Sequence, residues 1–382
     1  MDGAFIYDKY VTGKNFIGRK GNVTLVQNLL QQGEHIVMWE PPKTGKTSLI
    51  QQSLFNLRMS GGRFTAVQLT VQDIRTGAAF LERLGAAILR MVGATAEEYA
   101  SLVEKFLPGT HFIFDPDQFA QSDRIISLNW DLDDNDVEAM LRLPWELASE
   151  RGEKCFVIID EFQNLDNAPE GEKIMRQLAK IMEKYMESGR RDASYILCGS
   201  QVNAMNEIFA RRHIFVRLVE RVKLSDADEK EVAEHIIRGF LSGGKVIDRD
   251  LLIGACRLFK GNLWYINHFA AICDAKSKGY IMEPILLETL DCLIAVHEPR
   301  FRSAMNSLTN HQISLLEAAV DGVQRFSAAE VIRKYDLHSS ANVSRVKDAL
   351  AKKEILTFDA NDIPHFIDPL MEYWVGKYYF GK

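Results

Sequence analysis

Between residues 16 and 224, short apolar runs alternate with longer stretches whose apolar residues recur every three or four positions. The runs 35–39, 65–70, 155–159, 195–198 and 219–224 are short and mostly rich in Val and Ile, as strands buried on both faces should be. Stretches such as 47–59 and 77–91 carry helical spacing between them. This alternation predicts an α/β core, a parallel sheet covered by helices. The pattern breaks at 94–136, where Pro108-Gly109, Asp115-Pro116-Asp117 and Asp133-Asp134-Asn135-Asp136 are turn formers. That stretch reads either as a surface insertion between sheet elements or as an excursion that docks a partner.

From 225 to 303 the chain reads as nearly all helix, with apolar spacing over 232–241, 249–259 and 263–275. Ser225, followed by Asp226, Asp228 and Glu229, has the form of an N-cap with acids in the first turn. In the last block, 304–382, helices are expected at 312–320, 327–335 and 340–353. Ser327 and Glu330 form a capping-box pair, and a polar turn at 336–339 precedes the third helix. A hairpin follows, 355–358 and 365–367 around the turn 359–362, and then a last helix at 369–379. Three helices with a tight turn before the third, then a hairpin, describe a winged helix-turn-helix.

Composition narrows the classes. The 382 residues are 47% hydrophobic and 26% charged, the mix of an ordinary soluble chain of two or three domains. A net charge of -6 excludes a strong global field for nucleic acid or anionic lipid. Cys155, Cys198, Cys256, Cys273 and Cys292 show no Cys-x-x-Cys spacing, so they read as buried reduced thiols rather than zinc or redox groups. The first 14 residues lack a basic start followed by an apolar stretch, and no window approaches ~18 apolar residues. The expected setting is the cytoplasm, with no membrane contact.

The candidate chemistry begins at Glu40-Pro41-Pro42-Lys43-Thr44-Gly45-Lys46-Thr47, which follows an expected strand and opens an expected helix. A P-loop needs that context: backbone N–H groups wrap the phosphates and the helix points its positive end at them. Pro42, Lys43, Thr44, Gly45, Lys46, Thr47 and Ser48 are the expected nucleotide-holding residues. Lys46 would reach the β- and γ-phosphates and Thr47 would offer its hydroxyl to Mg²⁺. Glu40 stands where the leading glycine usually does.

A second motif, Phe156-Val157-Ile158-Ile159-Asp160-Glu161, is an apolar strand ending in two acids. Asp160 would hold Mg²⁺ through water, and Glu161 would orient or deprotonate the attacking water. The order of the motifs suits a sheet in which the two strands are near neighbours. A third strand ends in Gly199-Ser200-Gln201, where Ser200, or failing it Gln201, would sense the γ-phosphate. Arg211 and Arg212 follow; an arginine there would meet charge on the γ-phosphate, within the chain or across to a neighbouring copy.

With these pieces the chain resembles the archaeal-type ATPase family, a branch of the signal-transducing ATPases with numerous domains (STAND) within the AAA+ group. The resemblance rests on Phe16-Ile17-Gly18-Arg19, Pro41-Pro42-Lys43-Thr44-Gly45-Lys46-Thr47, Ile159-Asp160-Glu161-Phe162-Gln163, Leu197-Cys198-Gly199-Ser200, Gly261-Asn262 and Ile367-Asp368-Pro369. It implies a P-loop core over 1–224, a helical lid over 225–303 and a winged helix over 304–382. It further implies that Phe16 and Arg19 lie in an entry segment over the adenine base. Arg211 falls where the family places an arginine after an aromatic and a small residue. Leu263 replaces the proline expected after Gly261-Asn262.

The expected third helix of the winged block carries Asn342, Ser344, Arg345, Lys347, Lys352 and Lys353, residue types that read bases and meet phosphates. Against DNA stands charge. Residues 308–382 hold about nine Lys and Arg against ten Asp and Glu, and the wing turn Asp359-Ala360-Asn361-Asp362 is acidic. A protein partner or intramolecular docking is favoured over DNA, and self-association stays open. The leading reading is an ATP- and Mg²⁺-dependent hydrolytic switch. The others are a DNA-binding regulator with a structural nucleotide site, and a small-molecule kinase, which the acidic strand end disfavours.

Overall fold

In the computed structural model, which describes residues 4–382, contacts divide the chain into two units. One holds residues 21–40 and 53–223, the other residues up to 20, 41–52 and 224–382.

The first unit is built on a sheet. Its elements run α1 (Lys20–Gln32), β1 (Ile36–Trp39), α2 (Lys46–Met59, which begins in the other unit), β2 (Phe64–Thr70) and α3 (Gly77–Leu89). They continue with α4 (Ala96–Phe106), β3 (Phe112–Ile113), α5 (Pro116–Ser122), β4 (Ser127–Leu128) and α6 (Asp134–Arg151). β5 (Lys154–Asp160), α7 (Gly171–Glu187), β6 (Ala193–Gly199), α8 (Val202–Asn206) and β7 (Glu220–Arg221) complete it. The sheet order is β2-β5-β6-β1-β7, parallel throughout. β1 and β6 are buried at every residue and β5 at its five central ones, which is why their sequences are almost continuously apolar. Edge strand β2 instead alternates buried with more exposed residues.

Val67, Val157, Ile159, Tyr195 and Leu197 turn to one face and join Phe80, Leu84 and Trp145 of α3 and α6 in the core. The run expected at 219–224 pairs only through Glu220 and Arg221, since just two residues register with β1.

The turn-rich stretch 94–136 is folded rather than looped. Its Tyr99, Val103, Phe106, Phe112, Ile125 and Ile126 are buried in the same core. Asp133-Asp134-Asn135-Asp136 is a helix start: Asp133 caps α6 and the Asp136 carboxylate returns to Asp133 N–H, a capping box. Turns and N-caps use the same short carboxylates, so composition alone does not separate them.

The second unit is helical: α9 (Glu229–Ser242), β8 (Val246–Ile247), α10 (Arg249–Arg257), α11 (Leu263–Lys276), β9 (Tyr280–Ile281) and α12 (Glu283–Asn306). Then come α13 (Asn310–Val320), α14 (Ala329–Lys334), α15 (Ser340–Lys352), the antiparallel hairpin β10 (Leu356–Phe358) and β11 (Pro364–Phe366), and α16 (Pro369–Trp374). Three helices and a hairpin appear in the expected order.

A single apolar core runs from Ile236, Phe240 and Phe269 through Leu293 and Phe301 to Leu316, Leu350 and Trp374. The boundary expected at 303 therefore falls inside continuous α12. Of the described residues before 20, expected in the first domain, Phe5 and Ile17 pack here instead: the Phe5 ring lies 4.8 Å from that of Phe240, where Gly239 leaves room for it. Two caps also move. α9 is capped by Asp228, which accepts from Lys230 and Glu231 N–H, while the Ser225 carbonyl is taken by Arg19. α14 starts after Ala328 with no side-chain cap, one residue beyond the expected Ser327.

Four of the five cysteines are buried and none is in a disulfide. Among the described residues no helix is long and apolar enough to cross a membrane.

His35, 2% exposed, accepts a hydrogen bond from Tyr195 N–H on Nδ1 at 3.0 Å. Burial, with Arg191 nearby, pushes its pKa from 6.5 down to about 3. The folded chain keeps this ring neutral while the unfolded chain protonates it, so stability is present above pH 6.5 and is lost as pH falls toward 3. Urea unfolding should show a slope from this group that is small near pH 7 and approaches about 1.4 kcal/mol per pH unit between about pH 5.5 and 4. A His35→Gln variant, which keeps an acceptor for Tyr195, should flatten that slope by the same amount.

Candidate nucleotide site

The loop 40–45 leaves β1 and enters α2 directly, so strand, loop and helix follow one another as the motif requires. Gly45 has φ +98°, a backbone that a side chain resists, and a Cβ there would meet the Arg19 guanidinium at 2.9 Å. Lys46 is 7% exposed, and its ammonium donates to the Pro41 carbonyl at 3.0 Å, folded back into its own loop. Thr44 Oγ1 donates to the same carbonyl at 2.8 Å. Thr47 and Pro42 sit in the first turn of α2 and at the exposed tip of the loop. The Ser48 hydroxyl is taken by Val11 N–H at 3.1 Å, so its side chain holds the N-terminal segment.

Arg19 works as a clamp. Its guanidinium donates to the Thr44 carbonyl at 2.5 Å and to the Ser225 carbonyl at 3.0 Å, joining the loop to the chain entering α9. Phe16 beside it is only partly buried, while Ile17 enters the core. A Cβ on Gly18 would come within 3.6 Å of Ala227, which lines a cavity of about 400 Å³ with Val232, Ile253, Cys256, Gly261 and Ile266. Gly261 at φ +76° and Asn262 build the start of α11: the Asn262 carbonyl oxygen accepts from Trp264 and Tyr265 N–H at 3.1 and 3.2 Å. Leu263 simply opens that helix.

The acidic half lies at the end of β5. Asp160 is its last residue, and the Asp160 carboxylate accepts from Glu161 N–H at 3.0 Å. Glu161 has a left-handed φ of +57°, a conformation a non-glycine residue holds at some cost, which swings its side chain off the strand line. One of its oxygens, Oε2, accepts from Ser200 Oγ at 2.7 Å and from Gln163 Nε2 at 2.6 Å. Ser200 is thus brought to Glu161; Gln201 is exposed.

Gly199 is bare because Gln163 and Met205 would stand 2.5 and 2.4 Å from any Cβ. Gln163, quoted in the sequence motif but given no role there, is a further residue that meets Glu161. Glu40 acts electrostatically on Arg221, whose guanidinium lies 3.8 Å over the Trp39 ring. Arg211 is not drawn to this cluster: it is 72% exposed and meets Glu207 at 3.4 Å. Arg212 is bound by both oxygens of Asp166 at 2.6 and 2.7 Å.

The register aligns the ends of the strands. Trp39 of β1 pairs with Gly199 of β6, and Ile159 of β5 pairs with Leu197 of β6. β6 lies between the other two, so the expected neighbours are one strand apart. Residues 299–377 match the family described as a probable winged helix domain. No curated protein sequence matches the chain. Among solved structures it is similar to a Walker-type ATPase of Pyrococcus abyssi, with TM-score 0.67 and 14% identity, covering 97% of this chain and 99% of that one. It is also similar to the ORC2 protein of Aeropyrum pernix solved in ADPNP–ADP complexes, with TM-score 0.56, 12% identity, and 97% and 98% coverage.

The chain has the fold of a P-loop ATPase followed by a winged helix. Lys46 and Thr47 lie at the start of α2, and Asp160, Glu161 and Ser200 at the ends of β5 and β6. A Gly45→Ala substitution should cost about 1–3 kcal/mol through backbone strain alone. Thermal unfolding should report it as a lowered Tm, with Gly254→Ala, an exposed helical position, as the control that does not fall.

Proposed function

We propose that this protein is a cytoplasmic, Mg²⁺-dependent ATPase switch of the signal-transducing AAA+ type, whose nucleotide state is passed to its winged helix. The observation that carries the reading is the shared edge of the sheet. β1 delivers the loop, β6 delivers Ser200 and β5 delivers Asp160 and Glu161, all at the same end of parallel strands about 5 Å apart. The ORC2 protein was solved with ADPNP and ADP, and we carry that nucleotide class to this chain.

In this reading Lys46 leaves the Pro41 carbonyl for the β- and γ-phosphate oxygens, a stronger, charge-assisted partner. The Thr47 hydroxyl and the Asp160 carboxylate form the hard oxygen set that suits Mg²⁺, whose charge screens the phosphates. Glu161, held through Oε2, takes the proton of the attacking water as the water oxygen bonds to the γ-phosphorus and the bond to ADP breaks. Ser200 and Gln163 orient Glu161. The exposed Arg211 is suited to act across to a neighbouring copy. The adenine is assigned to the cavity beside Ala227 and Gly18, reached over Phe16.

The winged helix is assigned to a protein partner or to intramolecular docking. Asn342 donates to the Leu337 carbonyl, Lys347 is paired with Asp362 of the wing and Lys353 with the Ser307 carbonyl, so three of the six candidate base-reading side chains are spent internally. Lys46→Ala should lose nucleotide binding. Glu161→Gln should still bind ATP but turn over about 10²–10⁴-fold more slowly, and Ser200→Ala about tenfold. Steady-state ATPase assays and nucleotide titration check this, and an unchanged rate in Glu161→Gln would refute the assigned base. Adding duplex DNA should leave turnover unchanged; salt-dependent duplex binding without any turnover would instead mark a DNA-binding regulator.

A further inference from the structure

Lys43 is the loop residue with the most unusual placement. It holds a left-handed φ of +63°, and its ammonium lies 3.5 Å over the centre of the Trp264 ring. Trp264 and Tyr265 are consecutive in the first turn of α11, tied by the Asn262 cap. The Tyr265 hydroxyl donates to the Asp368 carboxylate at 2.9 Å. Arg300 of α12 donates to Asp368 at 2.6 Å and also to the Tyr265 hydroxyl oxygen. Asp368 is at the same time the cap of α16, accepting from Leu370 and Met371 N–H at 2.9 and 3.1 Å. One helical turn therefore touches the phosphate loop with one residue and the last helix of the winged region with the next.

We infer that Lys43 reports occupancy of the nucleotide loop to the winged helix, through Trp264 and Tyr265 to the Asp368 cap of α16. This rests on the nucleotide reading above. Two attractions compete for one ammonium. An aromatic face offers a quadrupole, whereas a phosphate offers full charge and oxygen acceptors. A triphosphate in the loop draws Lys43 off the ring.

Lys43 is also a cation facing Arg300, and burial together with that charge lowers its pKa. Its departure therefore removes a ring partner of Trp264, a repulsion on Arg300 and an attraction on Asp368. The cluster around Trp264 is aromatic. Tyr7 stacks on His268 at 4.2 Å and Trp264 meets His297 at 5.3 Å, while His268 Nδ1 and His297 Nε2 are buried with no hydrogen-bond partner. Stacked rings rearrange without breaking directional bonds. By linkage, a change in the Asp368 tie must alter nucleotide affinity in return.

Hydrogen exchange on the full chain, with and without Mg²⁺ and the non-hydrolysable analogue ADPNP, tests this. In the wild type the analogue should change exchange of the Leu370 and Met371 amides by about tenfold. Trp264→Leu should bind the analogue yet lose that response, and Asp368→Asn should shift analogue affinity in titration. If Trp264→Leu does not fold, Trp264→Phe, a weaker cation acceptor, should show a reduced response. Bound analogue with silent 370–371 amides in the wild type, or an undiminished response in the Trp264 variants, overturns the inference while leaving the nucleotide site standing. Absence of analogue binding to the wild type removes the nucleotide reading and this inference with it.

Discussion

A strand buried on both faces and bonded on both edges has no place for a charge except at its ends, and β5, β6 and β1 all meet that condition. Polar groups such as Asp160, Glu161 and Ser200 therefore stand past the last buried residue of their strands. Because the strands are parallel, those ends fall along one edge of the sheet. Asp160 and Glu161 lie beside Ser200 for that reason, not because they are near in sequence.

The details at that edge follow from crowding. Glu161 must leave the strand direction to meet Ser200 and Gln163, and its left-handed backbone does this. Gly199 must be bare for Gln163 and Met205 to stand where they do. The strain at Glu161 is held by two hydrogen bonds to one oxygen, which is the arrangement expected of a carboxylate kept in one orientation. In the other unit Arg19 plays a comparable part, with one guanidinium spanning two backbone carbonyls and leaving no room for a side chain on Gly45.

The winged region shows how little a residue list says about recognition. Its third helix has the residue types of a DNA reader, but Lys347 neutralises the acidic wing and Asn342 stitches the turn before the helix. What remains exposed, Ser344, Arg345 and Lys352, lies in a region with no basic excess. Asp368 likewise serves the fold first, capping α16, and only through Tyr265 and Arg300 connects that helix to α11 and α12.

Much of this was legible in the sequence. Period and composition determined the α/β alternation, the central strands to within two residues, the loop between strand and helix, and the order of helices and hairpin at the C-terminus. These depend on local spacing, backbone preference and burial pattern, which a chain carries in its own order. Tertiary structure alone decided the rest. It made a helix cap of the acidic run at 133–136 and set Tyr99, Val103, Phe106, Phe112, Ile125 and Ile126 of the stretch before it in the core. It packed Phe5 and Ile17 onto the helical unit, and continued α12 through an expected boundary. It also spent Ser48 on the N-terminal segment, paired Gln163 with Glu161 and set Lys43 on Trp264. Each of these is a contact between residues distant in sequence or a choice among equally good local partners. Which partner wins depends on what the packed core leaves within reach.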